Sequence, residues 1–173
     1  MHDITEEGNL FSLYNMNRTV MRLLAYIGSF GPIVLFLVVL AFILSRGLST
    51  TGVVLLLAWK PIGVALNSIL KWMINEPRPK GSVHLNRVER LLDKGTKGMP
   101  SGHAQLVGSE VAMTVCLRLP LWLRAYSVVQ ACVTLWQRYA YKKHTIMQLA
   151  AGLFVGVVYS AFYCSFLKDY VNA

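Results

Sequence analysis

A succession of apolar runs, each about as long as a bilayer is thick, restricts the fold of this 173-residue chain more than any other feature. A hydrocarbon core takes about 20 helical residues, and lipid offers no partner to a free backbone N–H or C=O, so each run must be a helix. Five segments are predicted: about Met21 to Leu44, Thr51 to Lys71, Ser101 to Leu117, Leu121 to Gln137, and His144 to Leu167. The third and fourth are short for a crossing, and Arg118-Leu119-Pro120 turns the chain between them. The expected fold is therefore all-α, a polytopic transmembrane helical bundle with about five membrane helices. The net charge of +9 comes from Lys and Arg lying between the apolar runs, not on one soluble face. That pattern points to the bilayer and an anionic membrane lipid as partners, and away from nucleic acid.

The chain reads as one domain over 1–173. It has an N-terminal segment (1–20), two membrane helices (21–71), a polar loop (72–100) and three further membrane helices (101–167). Met1 to Asn17 is polar, with Asp3, Glu6 and Glu7, and does not read as a signal peptide. A short amphipathic helix is expected around Leu10 to Arg18. The stretch from Glu76 to Met99 is basic and contains Gly and Pro; loops of that length are usually functional or disordered. Within it, Leu85, Val88, Leu91 and Leu92 have helical spacing and predict a short surface helix. Cys116, Cys132 and Cys164 lie in apolar stretches without metal-ligand spacing, and read as small buried hydrophobes.

Polar residues inside the membrane segments fall on single faces. Lys60, Asn67 and Lys71 are seven and four apart, and His103, Glu110 and Thr114 repeat that spacing. So do Ser127, Thr134 and Arg138, while His144 and Gln148 are one turn apart. Polar side chains are costly in lipid, so these stripes are expected to face a common interior. Lys60 and Glu110 are expected to form an ion pair bracing the second and third segments. Gly152 and Gly156, four apart, predict a helix-packing face.

Three blocks carry chemistry: Lys71 with Glu76-Pro77-Arg78-Pro79, then Pro100-Ser101-Gly102-His103, then Arg138 with His144 six residues on. Parity joins them. The second segment ends at Lys71, the third enters the membrane on that side at His103, the fourth returns to it at Arg138 and the fifth leaves from His144. All three blocks therefore meet at one membrane face, where an active site is expected. Two Arg, a Lys, a Ser and two His suit phosphoryl transfer, which needs cationic clamps and hydrogen-bond donors. Arg contacts phosphate in a bidentate manner, Lys offers a point charge, and a helix start offers N–H groups. One His can attack phosphorus while the other protonates the departing oxygen. No carboxylate cluster with metal-ligand spacing lies near, so no metal or other cofactor is expected.

These blocks resemble the three-part signature of the type 2 phosphatidic-acid phosphatase superfamily. The resemblance covers about Lys71 to Gln148. It implies that Lys71, Arg78 and Arg138 bind phosphate and that Ser101 and Gly102 hydrogen-bond it. It further implies that His103 is the general acid and His144 the nucleophile, forming a phosphohistidine that water hydrolyses. Two positions depart from the pattern: Gln137 replaces the usual Ser before the Arg, and Gln148 replaces the Asp that orients the nucleophile. Gln can accept the ring N–H but brings no charge. His144-Thr145-x-x-Gln148, Glu76-Pro77-Arg78-Pro79 and Gly98-Met99-Pro100-Ser101 are similar to one branch, the dolichyl diphosphatases, where Gln at the last position is normal. That branch usually has Ser-Ser-His where this chain has Ser101-Gly102-His103. The resemblance implies a polyisoprenyl diphosphate substrate, a role in recycling the glycosylation carrier, and an endoplasmic reticulum membrane. A phosphatidate or other lipid-phosphate phosphatase fits the same blocks. A non-catalytic phospholipid-binding membrane scaffold is favoured only by Gln148, and an anion channel would leave the two His unexplained.

Most other loop cations, Lys80, Arg87, Arg90, Lys94, Lys97, Lys142 and Lys143, read as interfacial anchors. His84 reads as solvated. Trp59, Trp72, Trp122 and Trp136 read as core or interface residues, with Trp72 nearest a lipid tail. Sidedness is contested. Arg18, Arg22 and the loop cations share the active-site side against Arg46, Arg118, Arg124 and Lys168, which predicts a cytosolic site. The resembled branch works on the lumenal side.

Overall fold

In the computed structural model, which describes residues 4–92 and 95–171, the chain forms α1 (Ile4–Leu44), α2 (Thr50–Ile74), α3 (Arg87–Leu92), α4 (Gly102–Cys116), α5 (Leu121–Ala140) and α6 (Ile146–Val171). The described residues contain no strand, only an antiparallel bridge between Pro77 and Lys97. This is the all-α bundle expected from the apolar runs. Local chemistry sets the helix ends. Ser49 and Ser101 cap α2 and α4, accepting the N–H of Gly52 at 3.2 Å and of Ala104 at 3.4 Å. Asn75 ends α2 in the left-handed conformation, φ 51°, its N–H bonded to the Lys71 carbonyl.

Several boundaries differ from expectation. The helix expected around Leu10 to Arg18 is not separate; α1 is continuous from Ile4. α2 runs past Lys71 to Ile74 and α5 past Gln137 to Ala140. α6 begins at Ile146, so His144 lies in the turn before it rather than in the helix. Lys94 lies outside the described residues.

Among the described residues, three helices have stretches long and apolar enough to cross a bilayer: Arg18–Leu44, Thr50–Ile74 and Ile146–Tyr170. α4 completes the bundle from inside, while α5 lies against α1 and α4 with Leu121, Trp122, Val128 and Val129 exposed on its outer face. α4 packs on α6, α5, α1 and α2, and α5 packs on α1. α4, which is largely buried, and the buried face of α5, with Ser127, Gln130, Thr134 and Arg138, can carry the polar residues that lipid would penalise. Large apolar side chains such as Leu37, Val54, Val64, Phe154 and Phe162 stay exposed on the outside, as a lipid-facing surface requires.

The interior has two halves. Leu35, Val39, Leu56, Trp59, Met113, Leu117, Leu123 and Leu167 form an apolar core in the half remote from the 76–99 loop. The half beneath that loop is polar. Apolar burial gives little drive between helices already surrounded by lipid, so close approach and hydrogen bonds hold the bundle. A Cβ added at Gly156 would lie 2.1 Å from the Gln105 carbonyl oxygen, and one at Gly152 2.4 Å from that of Ser101. α6 therefore touches the α4 backbone, as the Gly spacing predicted. Lys60 and Glu110 form the expected ion pair between α2 and α4. Asn67 Nδ2 donates to Gln105 Oε1 at 2.6 Å, and the Thr114 and Ser127 hydroxyls lie 3.1 Å apart. The predicted stripes thus converge.

The cysteine expectation is corrected. Cys116 and Cys164 are joined in a disulfide between α4 and α6, and Cys132 is a free, exposed thiol. The two partners stand 48 residues apart on different helices, so no sequence spacing marks the pair.

Candidate active site

The helix order brings four helix ends to one face. Lys71 lies in the last turn of α2, Gly102 and His103 in the first turn of α4, Arg138 in the last turn of α5, and His144 two residues before α6. The loop between α2 and α4 closes over them through the Pro77–Lys97 bridge. In it the Arg78 N–H donates to the Thr96 carbonyl at 3.1 Å and the Gly98 N–H to the Glu76 carbonyl at 2.7 Å. The Lys97 carbonyl is a shared anchor, accepting from Lys71 Nζ at 3.2 Å and from Arg78 Nε at 3.4 Å. Two predicted phosphate ligands are thereby held side by side, although Lys97 itself reads only as an anchor in the sequence.

Arg138 is fully buried and joins the two histidine-bearing elements. Its Nη2 donates to His103 Nδ1 at 2.7 Å. A guanidinium is only a donor, so His103 Nδ1 accepts and Nε2 carries the hydrogen. The Arg138 carbonyl accepts from the N–H groups of Lys143 at 2.9 Å and His144 at 3.3 Å, fixing the turn that presents the second histidine. Ser101 is buried. Its Oγ caps α4 and its N–H donates to the Gln148 carbonyl at 3.0 Å, tying the start of α4 to α6. The capping bond uses an oxygen lone pair and leaves the hydroxyl hydrogen to be donated. Gly102 and His103 occupy the first two helical positions, ahead of the intrahelical ladder, where N–H groups point at an anion.

His144 is 2% exposed, with Nδ1 3.2 Å from Gln148 Oε1. An amide oxygen only accepts, so Nδ1 bears the hydrogen and Nε2 keeps its lone pair. Burial, then the charges of Arg78, Arg138 and Lys71, push the imidazole down to about 3, while the bond to Gln148 works the other way. The ring is therefore neutral in the resting protein, and those three cations lie close enough to act on it. A groove of about 600 Å³, lined by Pro79, Tyr139, Lys142 and Thr145, reaches His144. A second, of about 220 Å³, runs from His103 between α2 and α4 past Leu106, Val64 and Trp59 to Lys60.

The structure thus gathers Lys71, Arg78, Ser101, Gly102, His103, Arg138, His144 and Gln148 at one face. It also adds residues that sequence reasoning missed. Glu89, on the short α3, is 2% exposed and bonds Arg138 Nη1 at 3.0 Å, Ser29 Oγ at 3.1 Å and Gln137 Nε2 at 3.4 Å. Its second oxygen accepts the Leu85 N–H at 2.6 Å and lies 3.7 Å from Lys143 Nζ. The surface helix expected from Leu spacing is real, but its polar side plugs into the bundle. Lys143 is not an interfacial anchor; it is fully buried. His84 is not merely solvated; its Nδ1 accepts from Lys143 Nζ at 2.6 Å. The second missed carboxylate is Glu76, whose Oε1 accepts from Gln148 Nε2 at 2.7 Å. The sequence signal for Glu89 was an acidic residue in an otherwise basic loop; Glu76 stood in the Glu76-Pro77-Arg78-Pro79 block, where no role was assigned to it. Among the described residues, no three His, Cys, Asp or Glu side chains gather as a metal site.

No match was found among curated proteins or among solved structures. The sequence pattern of the PAP2 superfamily matches residues 50–171, from the start of α2 to the end of α6. That span is most of the chain and holds every residue gathered at this face, so the chain belongs to the PAP2 superfamily.

Proposed function

We propose that this protein is a metal-independent phosphatase of a polyisoprenyl diphosphate, working through a phosphohistidine at His144. Members of the superfamily are phosphatases, and lipid phosphates are their general substrates. The observation that carries the finer reading is the pairing of tautomers. His144 keeps a free Nε2 lone pair while His103 carries its hydrogen on Nε2, so a nucleophile and a donor are ready together.

In the first step His144 Nε2 attacks the terminal phosphorus, and the bond from phosphorus to the bridging oxygen breaks with its electron pair going to that oxygen. Arg78, Arg138 and Lys71 hold the equatorial oxygens, with Ser101 and the start of α4 as further donors. The imidazolium passes its excess charge to the Nδ1–H bond with Gln148. In the second step water attacks the same phosphorus, the P–N bond breaks, inorganic phosphate leaves and the ring is neutral again. His103 Nε2–H donates a hydrogen bond to the departing oxygen in the first step, and in the second both protons of the attacking water leave on the inorganic phosphate.

The diphosphate reading rests on His103. With Arg138 occupying Nδ1, it is a neutral hydrogen-bond donor and a weak acid. A departing lipid phosphate needs only a hydrogen bond, whereas a departing alcohol needs a full proton. The groove between α2 and α4 runs down into the membrane half from the same histidine and suits an unbranched or isoprenoid tail. The Gln148 motif and the Glu76-Pro77-Arg78-Pro79 block add the resemblance to dolichyl diphosphatases, and with it an endoplasmic reticulum site of action.

The test is phosphate release in detergent with a chelator present, comparing dolichyl diphosphate, dolichyl phosphate and phosphatidate. The diphosphate is expected to be turned over with the highest kcat/KM. A preference for phosphatidate would replace it with a glycerolipid substrate. Phospholipid binding without release from any of the three would mark a scaffold.

A further inference from the structure

Gln148 departs from the superfamily pattern by placing an amide where a carboxylate usually orients the nucleophile. The surroundings of that amide are specific. Its oxygen accepts from His144 Nδ1 at 3.2 Å and from the Thr145 N–H at 3.3 Å. Its nitrogen donates to Glu76 Oε1 at 2.7 Å and to the Pro77 carbonyl at 2.9 Å. Both amide hydrogens meet acceptors and the oxygen meets two donors. A flipped amide would set oxygen against oxygen at 2.7 and 2.9 Å, so one orientation alone is satisfied.

The loop backbone reinforces the arrangement. Gly98 lies so close that an added Cβ would be 2.5 Å from Gln148 Oε1. The same Gly98 donates its N–H to the Glu76 carbonyl, so the segment carrying the carboxylate and the segment covering the amide are bonded together.

We propose that Glu76 is a positioning residue for the nucleophile. Acting through Gln148, it fixes the tautomer of His144 and supplies, one residue removed, the negative charge that the substituted carboxylate would have given. This rests on the reading of His144 as the nucleophile. As Nε2 bonds to phosphorus the ring becomes cationic, among the charges of Arg78, Arg138 and Lys71. The polarised amide then carries the Glu76 charge to Nδ1–H as a charge-assisted hydrogen bond. The proton stays on Nδ1 throughout; only the strength of its hydrogen bond changes.

The test uses Glu76→Gln, Glu76→Ala, Gln148→Asp and the double variant Glu76→Gln/Gln148→Asp in the full chain, each checked for folding by thermal unfolding. Removal of an outer-shell partner of this kind costs about 10–100-fold in activity, so Glu76→Gln is expected to lose about 10-fold in kcat and Glu76→Ala about 100-fold, with KM changed by less than about threefold. Gln148→Asp alone is expected to be poor, because two carboxylates then face one another. The double variant is expected to exceed both of its parent single variants, since the introduced amide can donate to the introduced carboxylate beside the ring. Two merely structural defects would instead compound. A double variant worse than both singles, or Glu76→Ala within about threefold of the natural chain, overturns the proposal.

A second readout does not need turnover. Imidazole ¹⁵N spectra in micelles are expected to show His144 protonated on Nδ1 in the natural chain and a tautomer mixture in Glu76→Ala. An unchanged tautomer overturns the proposal. If the natural chain releases no phosphate from any lipid, the nucleophile reading fails, and these spectra still decide whether Glu76 sets the ring.

Discussion

Arg138 is a guanidinium with no exposure at all, and a charge so placed needs a counter-charge close by. Glu89 provides it from a helix 49 residues away in sequence, and holds Lys143 and Ser29 as well. Glu89→Ala is therefore expected to cost about 3–5 kcal/mol of stability, because two buried cations lose the counter-charge that Glu89 supplies, and to abolish activity with it. Thermal unfolding in detergent measures the first. A midpoint unchanged from the natural chain would mean that α3 is ornamental. His144 gives a prediction of opposite chemical sign. Its imidazole sits near 3 in the folded chain against an ordinary 6.5, so between those values the unfolded chain binds a proton that the folded chain refuses. Stability from this group is intact above about pH 6.5 and is lost as pH falls towards 3. His144→Gln should accordingly lose less of its unfolding temperature between pH 7 and pH 5 than the natural chain does. The motif residues were legible because their spacing and segment parity are sequence properties. Glu76, Glu89, Lys143 and His84 were not, because each acts through a partner that only the tertiary fold brings within reach.

At the scale of elements, the pairing of α4 with α6 decides whether the site exists. α4 carries Ser101, Gly102 and His103, α6 carries Gln148, and the two helices meet backbone to backbone at Gly152 and Gly156. Gly156→Leu has nowhere to put its side chain without moving the Gln105 carbonyl, 2.1 Å from the added Cβ. It is expected to separate the helices, lowering both unfolding temperature and kcat, whereas the lipid-facing Phe154→Leu should leave both near their natural values. Equal effects of the two substitutions would contradict the packing account. Apolar runs made the long helices legible, and the small-residue spacing on α6 made its packing face legible. α4 and α5 were recognised as short for a crossing; the packing of α4 among the other helices, and of the polar face of α5 against α1 and α4, is what makes their polarity tolerable. The docking of α3 by its acidic face was not legible, since leucine spacing shows that a helix forms and not which side it buries. The partnership of Cys116 with Cys164 likewise depends on which helices are neighbours.

For the whole molecule, the two faces differ in charge and in chemistry. Lys and Arg concentrate on the active-site face. The disulfide joins the last residue of α4 to the distal half of α6, about 20–27 Å along the helices from that face by helical rise. Disulfides persist in oxidising compartments and positive loops stay in the cytosol, so both features predict a cytosolic active site. The resembled branch would have it lumenal. A Lys80→Cys reporter in a Cys132→Ser background should react with an impermeant maleimide from the cytosolic side of sealed vesicles; labelling from the lumenal side alone would reverse the topology. The central claim, that His144 carries the phosphoryl group, is tested most directly by trapping it. Rapid quench of the protein during turnover of a lipid diphosphate labelled in its terminal phosphate should show label bound to protein, stable to alkali and labile to acid, on the peptide containing His144. Label on another residue, or natural turnover persisting in His144→Ala, would contradict it.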